Sequence, residues 1–111
     1  MEDLTKKHCE PCEGGVEPFK PEEIEKYNTV LTIPWDVVDQ KKIKREFKFK
    51  NFKEAMVFVN RVAELAESEG HHPDIYIFYN KVRLELWTHA IGGLSINDFI
   101  MAAKVEKLTT S

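Results

Sequence analysis

The chain has 111 residues, 42% of them hydrophobic and 32% charged, with five Gly and five Pro, the proportions of one small globular domain rather than a disordered, fibrous or multidomain chain. Sixteen basic against nineteen acidic residues give a formal charge of −3, which argues against direct nucleic-acid binding and a membrane surface. No apolar run approaches the roughly 20 residues of a membrane span.

Residues 1–20 carry Pro11, Gly14, Gly15 and Pro18 among charges, and read as an irregular arm before a single domain over 21–111. The start, MEDLTKKHCEPCEGG, is too polar for a secretory signal, so a cytoplasmic chain with reduced thiols is expected. Both cysteines lie there, as Cys9-x-x-Cys12 preceded by His8. A structural zinc needs four ligands and no second CxxC follows; a redox CxxC would open a helix after a strand. Two reduced surface thiols are the expectation.

Pro21-Glu22-Glu23 puts proline at a helix start and acids at its positive dipole end, predicting a short helix over 21–27. Residues 29–38 are rich in Val, Ile, Thr and Trp and predict a strand, with Pro34 making it an edge or a bulge. Over 44–50, Arg45, Phe47 and Phe49 alternate with lysines and Glu46, the pattern of a half-buried antiparallel strand. Asn51 caps an amphipathic helix over 52–69 whose stripe runs through Phe52, Ala55, Met56, Val59, Val62, Ala63 and Ala66, and which ends at Gly70. Residues 75–79 and 82–88 predict two strands joined at Asn80-Lys81, where Asn tolerates positive φ. Ser95 caps a last helix over 96–108, and Asp98, three residues on, completes a capping box. The result is an α+β fold: a four-stranded antiparallel sheet with three helices packed on one face. The hairpin leaves an edge with alternating apolar residues and few charges, which predicts a homodimer joined there, open to doubling into a tetramer through helix faces.

Three of the four histidines sit at element ends. His71-His72-Pro73 follows Gly70 and precedes the hairpin, and His89 follows Thr88 at its far end. The outer ends of a hairpin are adjacent, so the three imidazoles should converge. Three histidines with an open position are a catalytic-zinc pattern, but no helical His-x-x-x-His spacing exists, and adjacent His71 and His72 reach one ion awkwardly. Acid–base work without a metal fits better, because imidazole titrates near neutral pH and both donates and accepts protons. Taken singly, His71 or His72 reads as a helix-end residue facing the dipole; the trio reads as a site. Glu67 stands four residues before His71 and shares its helix face. Trp35 reads as core or as a stacking platform for a planar ring. Asp98 reads as a cap, and its closeness to Gly92-Gly93 and His89 also opens a supporting or substrate-contacting role. No nucleophile constellation and no Gly-rich phosphate loop is present.

The run Glu67-x-x-x-His71-His72-Pro73, then Tyr79-Asn80-Lys81-Val82, Leu86-x-Thr88-His89 and Gly93-Leu94-Ser95-x-x-Asp98 closely resembles the pterin-4a-carbinolamine dehydratases, also called the dimerisation cofactor of a homeodomain transcription factor. The similarity covers about 25–108, with Trp35 and Glu46-Phe47-Lys48-Phe49 in order, and the Cys9-Glu-Pro-Cys12 arm looks like the leader of a subset of the family. The resemblance implies a dimeric or tetrameric enzyme that dehydrates 4a-hydroxytetrahydropterin to quinonoid dihydropterin, the recycling step for tetrahydrobiopterin. It implies neither metal nor organic cofactor, the pterin being the substrate. It makes His71, His72 and His89 the catalytic trio and places Trp35, Glu67, Gly70, Pro73, Thr88 and Asp98 around the pterin. At Gly70, Trp87 and Ala90 the family commonly has an acid, a small residue and an acid. Relatives also act as transcriptional coactivators by lending a helix to a partner, which is the rival, non-catalytic reading.

Overall fold

The computed structural model describes residues 3–9 and 17–110. Its elements are α1 (Pro21–Asn28), β1 (Asp36–Val38), β2 (Lys42–Lys48), α2 (Phe52–Glu69), β3 (Asp74–Phe78), β4 (Lys81–Leu86) and α3 (Ile96–Thr110), with 3-10 turns at Leu4–Lys6 and His89–Ile91. The strands form one antiparallel sheet in the order β1-β2-β4-β3, giving the expected α+β fold.

The long helix forms where its pattern predicts. The Asn51 side chain accepts the Glu54 N–H, and Gly70 takes the left-handed conformation at φ 66 while its N–H bonds to Ala66. Ala55, Phe58, Val62 and Ala66 are its buried apolar stripe, whereas Phe52 and Ala63 of the expected stripe are exposed. In β4 the alternate residues Val82, Leu84 and Leu86 are fully buried on the inner face, beside Ile43 and Phe47 of β2. Helix α3 is buried almost all round, with Phe99, Ile100, Met101, Ala102, Ala103 and Val105 in the core. It is the central helix, touching α1, α2, β4 and the Leu4–Lys6 turn.

Four expectations change. The strand over 29–38 shrinks to Asp36–Val38, because the groups Trp35 would offer a ladder are taken by Asn28. The Asn28 amide donates to the Trp35 carbonyl at 2.8 Å, and its oxygen accepts the Trp35 N–H at 2.9 Å. The second strand covers Lys42–Lys48, shifted toward the N-terminus by a tight turn with Asp39 and Gln40 at positive φ. In the hairpin the positive φ belongs to Tyr79, not Asn80, whose side chain instead donates to the Phe49 carbonyl at 3.1 Å. Finally, the arm is not merely irregular: Leu4 and Cys9 are buried in the core. Cys9, at 5% exposure, is therefore no surface thiol, while Cys12 lies outside the described residues.

Candidate active site

Register builds this site. Asp74, the first residue of β3, pairs with Glu85 near the end of β4, so the chain just before β3 runs beside the chain just after β4. At the same place the left-handed Gly70 swings the chain off α2, and β4 stops at Leu86 because Thr88 turns to pair with Gly93. His71, His72 and His89 thus line one cavity of about 530 Å³, with Gly70, Pro73, Asp74, Trp87, Thr88, Ala90 and Asn97. That volume is within the usual range for small-ligand sites.

His71 is anchored from below. Its Nε2 lies 2.7 Å from Oδ1 of Asp98, a carboxylate with no exposed surface. The other oxygen of Asp98 accepts the Thr88 hydroxyl and the Ser95 N–H, each at 2.9 Å. Asp98 is therefore both the capping carboxylate at the positive end of α3 and the partner of His71. Its hydrogen bonds assign the proton of neutral His71 to Nε2, which leaves Nδ1 as the ring's acceptor.

His72 pairs with Glu67, Nε2 to Oε2 at 2.5 Å, both side chains being mostly exposed. Glu67 thus meets His72 and not His71. The four-residue rule holds only inside a helix, and Gly70 has already turned His71 off that face. The His89 ring stacks on Trp87 with centroids 3.8 Å apart, and the Trp87 indole N–H donates to Asp74 Oδ2 at 3.3 Å.

Of the residues expected around a ligand, Gly70, Pro73 and Thr88 line the cavity, Glu67 sits behind His72, and Asp98 lies beneath His71. Trp35 is elsewhere. It is 2% exposed and packs edge-on against Phe47, with centroids 6.0 Å apart. Its ring is a core element of this chain and presents no open face for stacking. Trp87 and Ala90, where the chain departs from the family's usual residues, also line the cavity, as do Asp74 and Asn97, which sequence reasoning missed. Strand parity over 82–88 puts Trp87 on the face of Arg83 and Glu85, whereas β4 ends before it, at Leu86.

Behind the cavity, the Cys9 thiol approaches the Asn97 carbonyl at 3.6 Å. Burial and the neighbouring Glu69 carboxylate push this thiol up to about 12. In a Cys12→Ser variant, Cys9 should therefore resist a thiol-specific reagent at neutral pH and react only once the protein is unfolded; rapid titration of the native protein would contradict its placement. Among the described residues, no group of three or more His, Cys, Asp or Glu is arranged to hold a metal ion, and no helix is long and apolar enough to cross a membrane.

A family model described as Pterin 4 alpha carbinolamine dehydratase matches residues 17–108. A relative from Rubrobacter xylanophilus, provisionally named as a pterin-4-alpha-carbinolamine dehydratase, is 48% identical over 97% of this chain and 100% of its own. One from Nitrosomonas europaea with the same provisional name is 51% identical over 98% and 96%. A crystal structure from Brucella melitensis, described as a transcriptional coactivator/pterin dehydratase, superposes with a TM-score of 0.77 at 33% identity, covering 83% of this chain and 98% of that one. A pterin dehydratase-like protein described as a RuBisCO assembly factor shares the fold alone, with a TM-score of 0.60 at 23% identity over 69% and 90% of the two chains.

Proposed function

This chain belongs to the pterin-4-alpha-carbinolamine dehydratase family, and from that membership we propose that it removes water from a 4a-hydroxytetrahydropterin by proton transfer with its own imidazoles. In this reaction the C4a–O bond breaks and its electron pair leaves with the hydroxyl. A proton delivered to that oxygen makes the leaving group water. The N5 proton is withdrawn, and the electron pair left behind closes the N5=C4a bond of the quinonoid dihydropterin. Nothing is oxidised or reduced overall.

The observation that carries the reading is the convergence of three imidazoles on one cavity, with His71 backed by a buried carboxylate. We assign the base to His71, whose bond to Asp98 leaves Nδ1 free to accept. We assign the acid to His89, because an aromatic face such as that of Trp87 can hold a cationic ring. His72, at the rim with Glu67, would hold the hydroxyl or orient the ring. Each imidazole is held by the protein: His71 is bonded to Asp98, His72 to Glu67, and His89 is stacked on Trp87.

Turnover of a chemically prepared 4a-hydroxytetrahydropterin in excess chelator, followed by absorbance of the quinonoid product, tests this. Sustained turnover is expected. A chain that folds yet never accelerates dehydration would leave the binding-module reading, for which the Brucella coactivator/dehydratase is the precedent.

We also propose a homodimer across β3. This strand is a sheet edge, and Tyr76, Ile77, Phe78 and Tyr79 are exposed there without a charge among them. Phe52 and Val57, exposed on α2, would serve a further pairing into tetramers. Light scattering at micromolar concentration should show a dimer or tetramer that Ile77→Lys dissociates; a wild-type monomer would sink the proposal.

A further inference from the structure

The C-terminal end of α2 is tied to α3 at two points. One is His71 on Asp98. The other is Glu69, the last residue of α2, whose side chain is 7% exposed. Its Oε2 accepts a hydrogen bond from Lys104 Nζ of α3 at 2.6 Å. Its Oε1 accepts the Cys9 N–H at 2.8 Å and lies 3.1 Å from His8 Nδ1. Cys9 also reaches the carbonyl of Asn97, which lines the cavity and immediately precedes Asp98. The segment 3–9 therefore closes over the Glu69–Lys104 pair.

Burial alone would raise the Glu69 carboxyl, but the Lys104 hydrogen bond, the Cys9 N–H and the Lys104 charge outweigh it and hold the group at about 2. The carboxylate is thus ionised throughout the neutral range. Such a pair is weak evidence for stability as such, since desolvation offsets much of the attraction. Its placement is the informative part. Glu69 is separated from His71 only by Gly70, the most permissive backbone residue. Lys104 lies six residues beyond Asp98, roughly 9 Å along the axis of α3. The buried stripe of α2, ending at Ala66, packs the helix in the core, and the two polar contacts, this far apart, fix the direction of the chain beyond it. Without Glu69, His71 is held by its backbone N–H on the Ala66 carbonyl, at 3.3 Å, and by the ring's one hydrogen bond to Asp98.

We propose that Glu69 and Lys104, covered by the segment 3–9, are positioning residues that hold His71 in register with Asp98 for proton transfer. The kinetic consequence rests on the dehydratase reading; the effect on the His71 ring does not.

The test uses Glu69→Gln and Lys104→Met, with Lys104→Arg as the conservative control, in the full chain. Turnover should fall by up to roughly 10²-fold with KM nearly unchanged, the penalty for a catalytic group misplaced by about 1 Å. Lys104→Arg should recover most of the loss. In a His71→Ala background, Glu69→Gln should cost nothing further, because the group it positions is gone. Independently of activity, nitrogen-15 spectra of the histidine rings should show His71 as the Nε2–H tautomer in the wild type and as a tautomer mixture in Glu69→Gln. If Glu69→Gln fails to fold, Lys104→Met supplies the same readings. The proposal is overturned if the folded variants keep the wild-type His71 signature, or if the kinetic loss persists undiminished in His71→Ala. A wild-type chain without dehydratase activity whose His71 signature still shifts would refute the function and support the positioning.

Discussion

Replacing His71 or His89 by Ala should lower turnover of a 4a-hydroxytetrahydropterin by roughly 10²–10⁴-fold, the usual contribution of a positioned acid or base. KM should change much less, since the proton transfers are made in the transition state and not in the bound ground state. The double variant should lose less than the product of the two single losses, because either deletion already interrupts the exchange. Both chains should fold. His71 and His89 line a cavity at the ends of elements, outside the apolar stripe of α2 and the inner face of β4. His72→Ala is the internal contrast. Its ring and its Glu67 partner are mostly exposed, and an exposed pair of that kind contributes at most about 1 kcal/mol. Its loss should be smaller than that of either neighbour. Single-turnover kinetics on the three variants reads these effects, and near-full turnover in folded His71→Ala and His89→Ala would remove the catalytic account.

Asp98→Asn should be nearly as damaging to turnover while leaving the cavity's shape intact. The carboxylate spends one oxygen on the Thr88 hydroxyl and the Ser95 N–H, and the other on His71. An asparagine has one acceptor oxygen. If that oxygen keeps Thr88 and Ser95, its NH₂ faces His71 and demands an acceptor at Nε2. The proton then moves to Nδ1, and the base is held in the wrong tautomer. A loss on the order of 10²–10⁴-fold in turnover is expected, the scale on which general bases work. Asp98→Ala should add a fold defect, because a buried donor left without its acceptor costs about 1–3 kcal/mol. Denaturant titration should therefore separate the two variants: Asn close to wild type, Ala clearly weaker. Equal, full turnover in Asp98→Asn would show that His71 needs no partner.

Much of this was legible in the chain because the informative signals were local. Asn51 and Gly70 bracket an apolar repeat, so the ends of α2 were readable to the residue, although Phe52 and Ala63 of that repeat face outward. The alternation Val82, Leu84, Leu86 marks one face of β4, and two strands in a hairpin bring His71, His72 and His89 together without any long-range information. The misreadings come from interactions between distant or non-repeating groups. Trp35 follows a β-like composition, but Asn28, seven residues earlier, claims both its backbone groups and Phe47 takes its ring into the core. Cys9 sits in a polar stretch, and nothing nearby announces that Glu69, sixty residues on, will bind its N–H. The exchange of partners that gives Glu67 to His72 and Asp98 to His71 depends on one left-handed residue, Gly70. A glycine at that position marks a helix stop, but it does not show how far the chain beyond it is rotated.

The claim on which the account turns is that the pterin occupies the histidine cavity. Titrating the protein with a stable dihydropterin that carries no 4a-hydroxyl, while following the ring signals of His71, His72 and His89 and the Trp87 indole N–H, tests it most directly. All four should shift together and saturate at one ligand per chain. Shifts confined to the separate cavity lined by Arg45, Lys48 and Arg61, with the histidine rings unmoved, would contradict it.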